Sequence, residues 1–162
     1  MAERQPQDVL PRARRPAEPD AAGDEWLSGE GRCFGCGPDN EQGLRLRFRR
    51  VGFGEVEAEY TAPEHQAGAP GVVHGGMQAA LLDETLGFAA HAARPAGEDF
   101  GIVTVEFTLR YRRPAPTGRP LRLRGRLLRS EGRDLWLAGE IEGSDGAVLT
   151  EAEARWRRTG PA

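Results

Sequence analysis

Apolar and polar residues alternate strictly along several stretches of this chain. Leu44, Leu46 and Phe48 fall on one side of an extended segment, with Arg45, Arg47 and Arg49 on the other. After VGFG, Val56, Ala58 and Tyr60 alternate with Glu55, Glu57 and Glu59. Period-two alternation of this length marks half-buried strands. Arg49 opposite Glu55, Arg47 opposite Glu57 and Arg45 opposite Glu59 would pair unlike charges on one face and set Phe48 against Val56 on the other. Both faces are then satisfied by one hairpin. Further on, Val103, Val105, Phe107, Leu109 and Tyr111 alternate with Thr104, Glu106, Thr108, Arg110 and Arg112. Leu121, Leu123 and Leu127 alternate with arginines. A turn at SEG would face Leu127 with Leu135, Gly125 with Leu137 and Leu121 with Ile141. A turn at GSDG would then set Ile141 against Val148 and continue toward Trp156, an antiparallel meander.

One stretch breaks the alternation. Gly71 to His91, GVVHGGMQAALLDETLGFAAH, opens on His74-Gly75-Gly76 and continues apolar and without proline to a break at Arg94-Pro95. Wound at 3.6 residues per turn its apolar side chains lie on nearly all sides, the mark of a buried helix. Asp83 and Glu84 sit in its middle, where ionised carboxylates are costly unless paired, hydrated or neutralised. Acids at the centre of such a helix and glycines at its mouth make a site hypothesis. The element order is β-β-α-β-β-β-β. The fold class is therefore α+β: about six antiparallel strands, each with one apolar face, wrapped around one long helix.

Composition narrows the rest. The 162 residues allow one domain with a real core. Residues 1–25, rich in Arg, Pro, Asp and Glu, read as a disordered tail, and 26–159 as the domain. Trp26 and Leu27 would dock on it or begin a short helix. A net charge of -3 gives no reason to expect nucleic acid as a partner. No apolar run is long enough for a membrane span, and two cysteines imply no disulfide framework, so a reduced cytoplasmic protein is expected. All 22 basic residues are Arg, so any cationic site is guanidinium. Cys33 and Cys36 form a lone CxxC. Zinc needs four ligands, and completing the set would take His65 and His74, so no metal is expected. Gly37-Pro38 disfavours a redox pair, and packing of a turn-rich loop is the favoured role.

Three segments together resemble the hotdog-fold acyl-CoA thioesterases, in the branch that includes the phenylacetate-pathway and 4-hydroxybenzoyl-CoA enzymes. They are HGGMQAALLDE (74–84), TVEFTLRYRRPAP (104–116) and CFGCGPDNEQGLRLRF (33–48), the last usually carrying Pro where this chain has Glu41. The resemblance implies a hotdog fold and acyl-CoA hydrolysis without a cofactor. It implies Asp83 as catalytic base or nucleophile, the Gly75 or Gly76 N–H as oxyanion donor, and Thr104 as positioning residue. Many members carry Asn six residues before the HGG histidine, where this chain has Gly68.

Physical chemistry supports these roles independently. A helix N-terminus presents free N–H groups and a positive dipole end, and glycine lets a substrate carbonyl come close. A carboxylate in an apolar helix can have its pKa raised toward catalytic use. Gly75 and Asp83 are eight residues apart, about 12 Å along a helix, too far for one carbonyl to touch both. Two antiparallel copies of the helix would complete the site, which calls for a dimer or dimer of dimers. Each residue has a plainer alternative. Asp83 could bridge to an Arg, and Glu84, about 100° round the helix, is the second choice as catalytic acid. His74 reads as a cap or brace before a base. Thr104 could be an ordinary strand residue. Arg112 and Arg113 could meet a CoA phosphate or merely be solvated. A hydratase would need Asp-x-Asn-Pro-x-His, which is absent. The remaining alternative is a non-catalytic acyl-CoA binding module.

Overall fold

The computed structural model describes residues 25–96, 98 and 100–160. The tail expected over 1–25 lies, apart from Glu25, outside them. Strands β2 (Arg47–Gly52) and β3 (Glu55–Thr61) precede the helix α1 (Gly75–Ala92), and β6 (Gly101–Tyr111), β7 (Pro120–Glu131), β8 (Asp134–Glu142) and β9 (Val148–Thr159) follow it. A three-residue strand, β1 (Trp26–Ser28), comes first, and a small hairpin of β4 (Ala67–Ala69) and β5 (Val72–Val73) leads into the helix. The main sheet has seven antiparallel strands in the order β1-β2-β3-β7-β8-β9-β6. The α+β expectation holds. The extra strand is the Trp26–Leu27 segment, which docks as an edge strand on β2, not as a helix.

The helix lies on the apolar face of this sheet. Phe48, Leu81, Leu82, Leu86, Leu121, Leu123, Leu135, Leu137 and Ile141 are fully buried between the two layers. On the opposite face Arg49 and Arg124 both pair with Glu57, at 3.1 Å each, and Arg124 also reaches Glu142 at 3.5 Å. Pairs of this kind, with half-buried acids and solvent-screened arginines, contribute little each. Their value is in keeping the outer face charged and the inner face apolar.

Three expected registers are displaced. Arg49 pairs with Glu57, not Glu55, because β2 runs on to Gly52 with an irregularity between Arg50 and Gly52, and Gly54 takes a φ of 68° in the turn. Arg45, expected in this strand, precedes it with a φ of 52°. Leu127 pairs with Leu137 and Leu123 with Ile141, since the turn is Gly132-Arg133 and a bulge falls between Leu127 and Arg129. Ile141 pairs with Thr150, and Val148 with Glu142. Slips of two residues keep the alternation of these hairpins. In β6, however, an irregularity between Thr104 and Glu106 turns Thr104 toward the helix and leaves Val103 and Val105, expected on the apolar face, exposed.

The helix approaches the sheet most closely over glycines. A Cβ at Gly139 would lie 2.9 Å from both the Arg124 carbonyl oxygen and Leu86 Cδ2, and one at Gly125 would lie 2.9 Å from Thr85 Cγ2. Backbone cannot yield as a side chain can. Gly139→Ala is therefore expected to cost about 1–3 kcal/mol of stability, measured by denaturant unfolding. A loss within error of zero would show that the helix can lift away.

Candidate active site

The helix mouth is built by His74. Its Nδ1 accepts a hydrogen bond from the Gly76 N–H at 2.9 Å, so the imidazole is the N-cap, the bracing role expected for it. This engages one of the two candidate oxyanion donors. The Gly75 N–H has no acceptor among the described residues. The Gly75 carbonyl accepts from Tyr111 Oη at 2.9 Å, which ties the mouth to the end of β6. Beneath it Gln78 is buried, donating to the Val73 carbonyl at 2.8 Å and accepting from Thr150. Sequence reasoning missed Gln78, because a lone Gln in an apolar run gives no sign that both ends of its amide will be satisfied.

An open groove of about 410 Å³ lies over this mouth, lined by Gly68, Val73, His74, Gly75, Gln78, Tyr111, Arg112 and Arg113 among others. Gly68, where the resembling family often has Asn, is on its wall. A Cβ there would sit 3.0 Å from His74 Cα, so a side chain at that position is crowded by the cap itself. Arg112 is engaged by Glu151 at 2.5 Å, and its neighbour Arg113 makes no ion pair among the described residues.

Asp83 is two turns further along the helix, half-buried, and away from the groove. Its Oδ1 accepts a hydrogen bond of 2.9 Å from Thr104 Oγ1 on β6. No arginine pairs with it among the described residues. Burial pushes the Asp83 carboxyl above its usual range, and the Thr104 hydroxyl, by favouring the charged form, pulls it partly back. Glu84 is raised too, by burial first and in part by the neighbouring Asp83 charge. Its carboxylate does not turn toward Thr104. It lies against the 33–36 loop, where it accepts a hydrogen bond from the Cys36 thiol. The two adjacent acids thus serve different neighbourhoods, as the 100° step between them requires.

The helix flank that carries Asp83 is incompletely covered. Gly76, Ala79, Ala80 and Asp83 are all exposed or half-buried, whereas Leu81, Leu82, Thr85 and Leu86 are sealed. Beside that flank runs β6, which pairs only with β9 and so forms a sheet edge. Val103 and Val105 on it are 48% and 43% exposed. An eleven-residue strand with β-branched residues open to solvent and one unpaired edge is a feature that proteins normally cover.

Comparison with known proteins agrees with this architecture. Residues 70–149, from the helix entry through β8, match the family model described as the thioesterase superfamily. The chain is 34% identical over 88 residues to the acyl-coenzyme A thioesterase THEM4 of Xenopus laevis, an alignment covering 54% of this chain and 37% of that protein. Across the curated relatives it matches, the chain spans 37% to 52% of their length. Among solved structures, a thioesterase superfamily protein superposes with a TM-score of 0.67 at 35% identity, covering 75% of this chain and 57% of the other. A phenylacetic acid degradation-related protein of Ralstonia eutropha JMP134 superposes at 0.62 with 30% identity, covering 70% and 85%. The antiparallel sheet around one helix, the matched segment and these similarities together make this chain a member of the hotdog-fold thioesterase superfamily.

Proposed function

We propose that this chain hydrolyses acyl-coenzyme A thioesters to the free acid and coenzyme A, at a site completed by a second copy of itself. The observation that carries the reading is the Asp83 carboxyl. It is half-buried in an apolar helix, held by one hydroxyl at 2.9 Å, and left with its second oxygen for chemistry. The curated relatives named as acyl-coenzyme A thioesterases support the substrate class.

In this scheme Asp83 takes a proton from water as the oxygen attacks the thioester carbonyl. The carbonyl oxygen becomes an oxyanion held by the free Gly75 N–H of the partner, a donor worth about 3–4 kcal/mol in a dry site. Collapse of the intermediate breaks the C–S bond, and the departing thiolate takes the proton back from Asp83. Attack by Asp83 itself, with the acyl-enzyme hydrolysed afterwards, uses the same groups. Gly76, held by His74, keeps the mouth in shape. Arg113, without an acidic partner among the described residues, is the better placed of the two arginines to meet a coenzyme A phosphate.

The dimer is part of the proposal. Gly75 and Asp83 cannot reach one carbonyl across about 12 Å of helix, and the uncovered flank and free β6 edge offer a surface for the second copy. Sedimentation is expected to find a dimer or a multiple of it. Val105→Arg should dissociate it and lower turnover by about 10²–10³-fold, the scale of losing an oxyanion donor. A fully active monomer would overturn the shared site.

The activity itself is tested with short, medium, long and aromatic acyl-coenzyme A substrates under free-thiol detection. Turnover of at least one is expected. Binding of the panel without turnover would make the chain an acyl-coenzyme A binding module instead.

A further inference from the structure

The fold brings Glu84 to the CxxC. The sulfurs of Cys33 and Cys36 and a carboxylate oxygen of Glu84 all lie within 4.8 Å of one another. A tetrahedral zinc ion with Zn–S of about 2.3 Å and Zn–O of about 2.0 Å holds its ligand atoms roughly 3.5–3.8 Å apart. Small side-chain rotations close the difference. We infer that Cys33, Cys36 and Glu84 form a zinc site that fastens the 33–46 loop to the middle of the helix.

The surroundings leave room for two of these side chains, Cys36 and Glu84. A Cβ at Gly35 would fall 2.1 Å from Glu84 Oε2, and one at Gly29 would fall 2.1 Å from Cys36 Sγ. Glycine at both positions leaves the space that the donors occupy. The Gly37 N–H donates to the Cys33 carbonyl at 3.0 Å, closing the Cys-Phe-Gly-Cys turn. Leu44 and Leu46 donate to the Phe34 and Gly35 carbonyls, at 2.7 and 2.9 Å, so the loop between the cysteines is clamped from outside the cluster. The donors are therefore held near one another by backbone before any ion arrives. Two sulfurs and one oxygen are a borderline-soft set, which suits zinc and excludes magnesium and calcium. Cys33 is exposed, so the fourth position opens toward water.

The site adds a constraint that hydrolysis by Asp83 does not need. Glu84 adjoins Asp83 in sequence, so an ion held by Glu84 and the two sulfurs would fix the helix and the loop beside the reacting acid.

The test uses the full chain, purified without an affinity tag or chelator and equilibrated with zinc under reducing conditions. Metal analysis is expected to find about one zinc per chain, and cobalt replacing it should give a sulfur-to-cobalt charge-transfer absorption. Cys36→Ser and Glu84→Gln should each lower the bound metal at least about tenfold against a competing chelator. Should either variant fail to fold, the cobalt spectrum of the wild type decides alone. Less than about a tenth of an equivalent of zinc, with no cobalt–sulfur band, would overturn the inference. So would a Cys33–Cys36 disulfide in freshly isolated protein, or undiminished metal in a Cys33→Ser, Cys36→Ser double variant.

Discussion

Asp83→Asn is expected to lower acyl-coenzyme A turnover by about 10²–10⁴-fold, the usual contribution of a positioned acid–base group. The amide keeps the size and can still accept from Thr104, so a loss of this size reflects the missing carboxylate. A pH profile separates this from mere disruption. Asp83 must be ionised to act, and burial raises its pKa. Activity should therefore rise with pH through a limb lying above the ordinary carboxylate range. Thr104→Val removes a hydrogen bond that favours the charged form, so it should move that limb further up while leaving the plateau within reach. Stability should go the other way. A carboxyl whose folded pKa is raised is fully tolerated below its unfolded pKa and costs stability as pH rises through the folded value. Asp83→Asn should thus melt at or above the wild-type temperature at neutral pH. Unchanged turnover in Asp83→Asn would remove Asp83 from the mechanism, and a large drop in its melting temperature would make it a structural residue.

How far the chain could be read from its sequence depended on the range of the interaction involved. The helix was legible, because eighteen residues without proline and with apolar side chains on most sides have few other uses. Most strand faces were legible for the same reason, as in Leu121 and Leu123 against Arg122 and Arg124. That of β6 was not, because an irregularity after Thr104 leaves Val103 and Val105 exposed. Registers were not. The choice between Glu55 and Glu57 opposite Arg49 is set by a bulge and a positive φ at Gly54, and the charge pattern accepts either. Trp26–Ser28 was opaque as a strand, since three residues carry no period. At the site, the residue types could be named, but not what they touch. The Asp83–Thr104 contact spans helix and edge strand, and the resemblance suggested it where spacing could not. The meeting of Glu84 with Cys36 had no local signal at all. Counting ligands along the chain left only His65 and His74 to complete a set and argued against a metal, while the fold brought an acid of the helix to the cysteines.

Phe48→Ala should be among the most damaging core substitutions, at about 3–5 kcal/mol. Phe48 is fully buried on β2, and its ring stacks on Phe88 of the helix with centroids 4.6 Å apart and planes 24° from parallel. Phe88 in turn sits 5.9 Å from the His91 ring near the helix C-terminus. The stack fixes the last turns of the helix against the outer strands. Truncation removes the ring from both partners and opens a cavity between layers that the β2 ladder to β1 and β3 prevents from closing. For a domain of this size the loss corresponds to a fall in melting temperature of roughly 10–20 °C. Calorimetry on Phe48→Ala, Phe88→Ala and the double variant resolves the stacking from simple burial. The two single losses should fail to add, by about 0.5–1.5 kcal/mol, the worth of an aromatic pair beyond its area. Strict additivity would mean that the rings act only as separate hydrophobic fillers. A Phe48→Ala loss below about 1 kcal/mol would mean that the sheet collapses onto the helix after all, which the tight packing at Gly139, where a Cβ would lie 2.9 Å from Leu86 Cδ2, argues against.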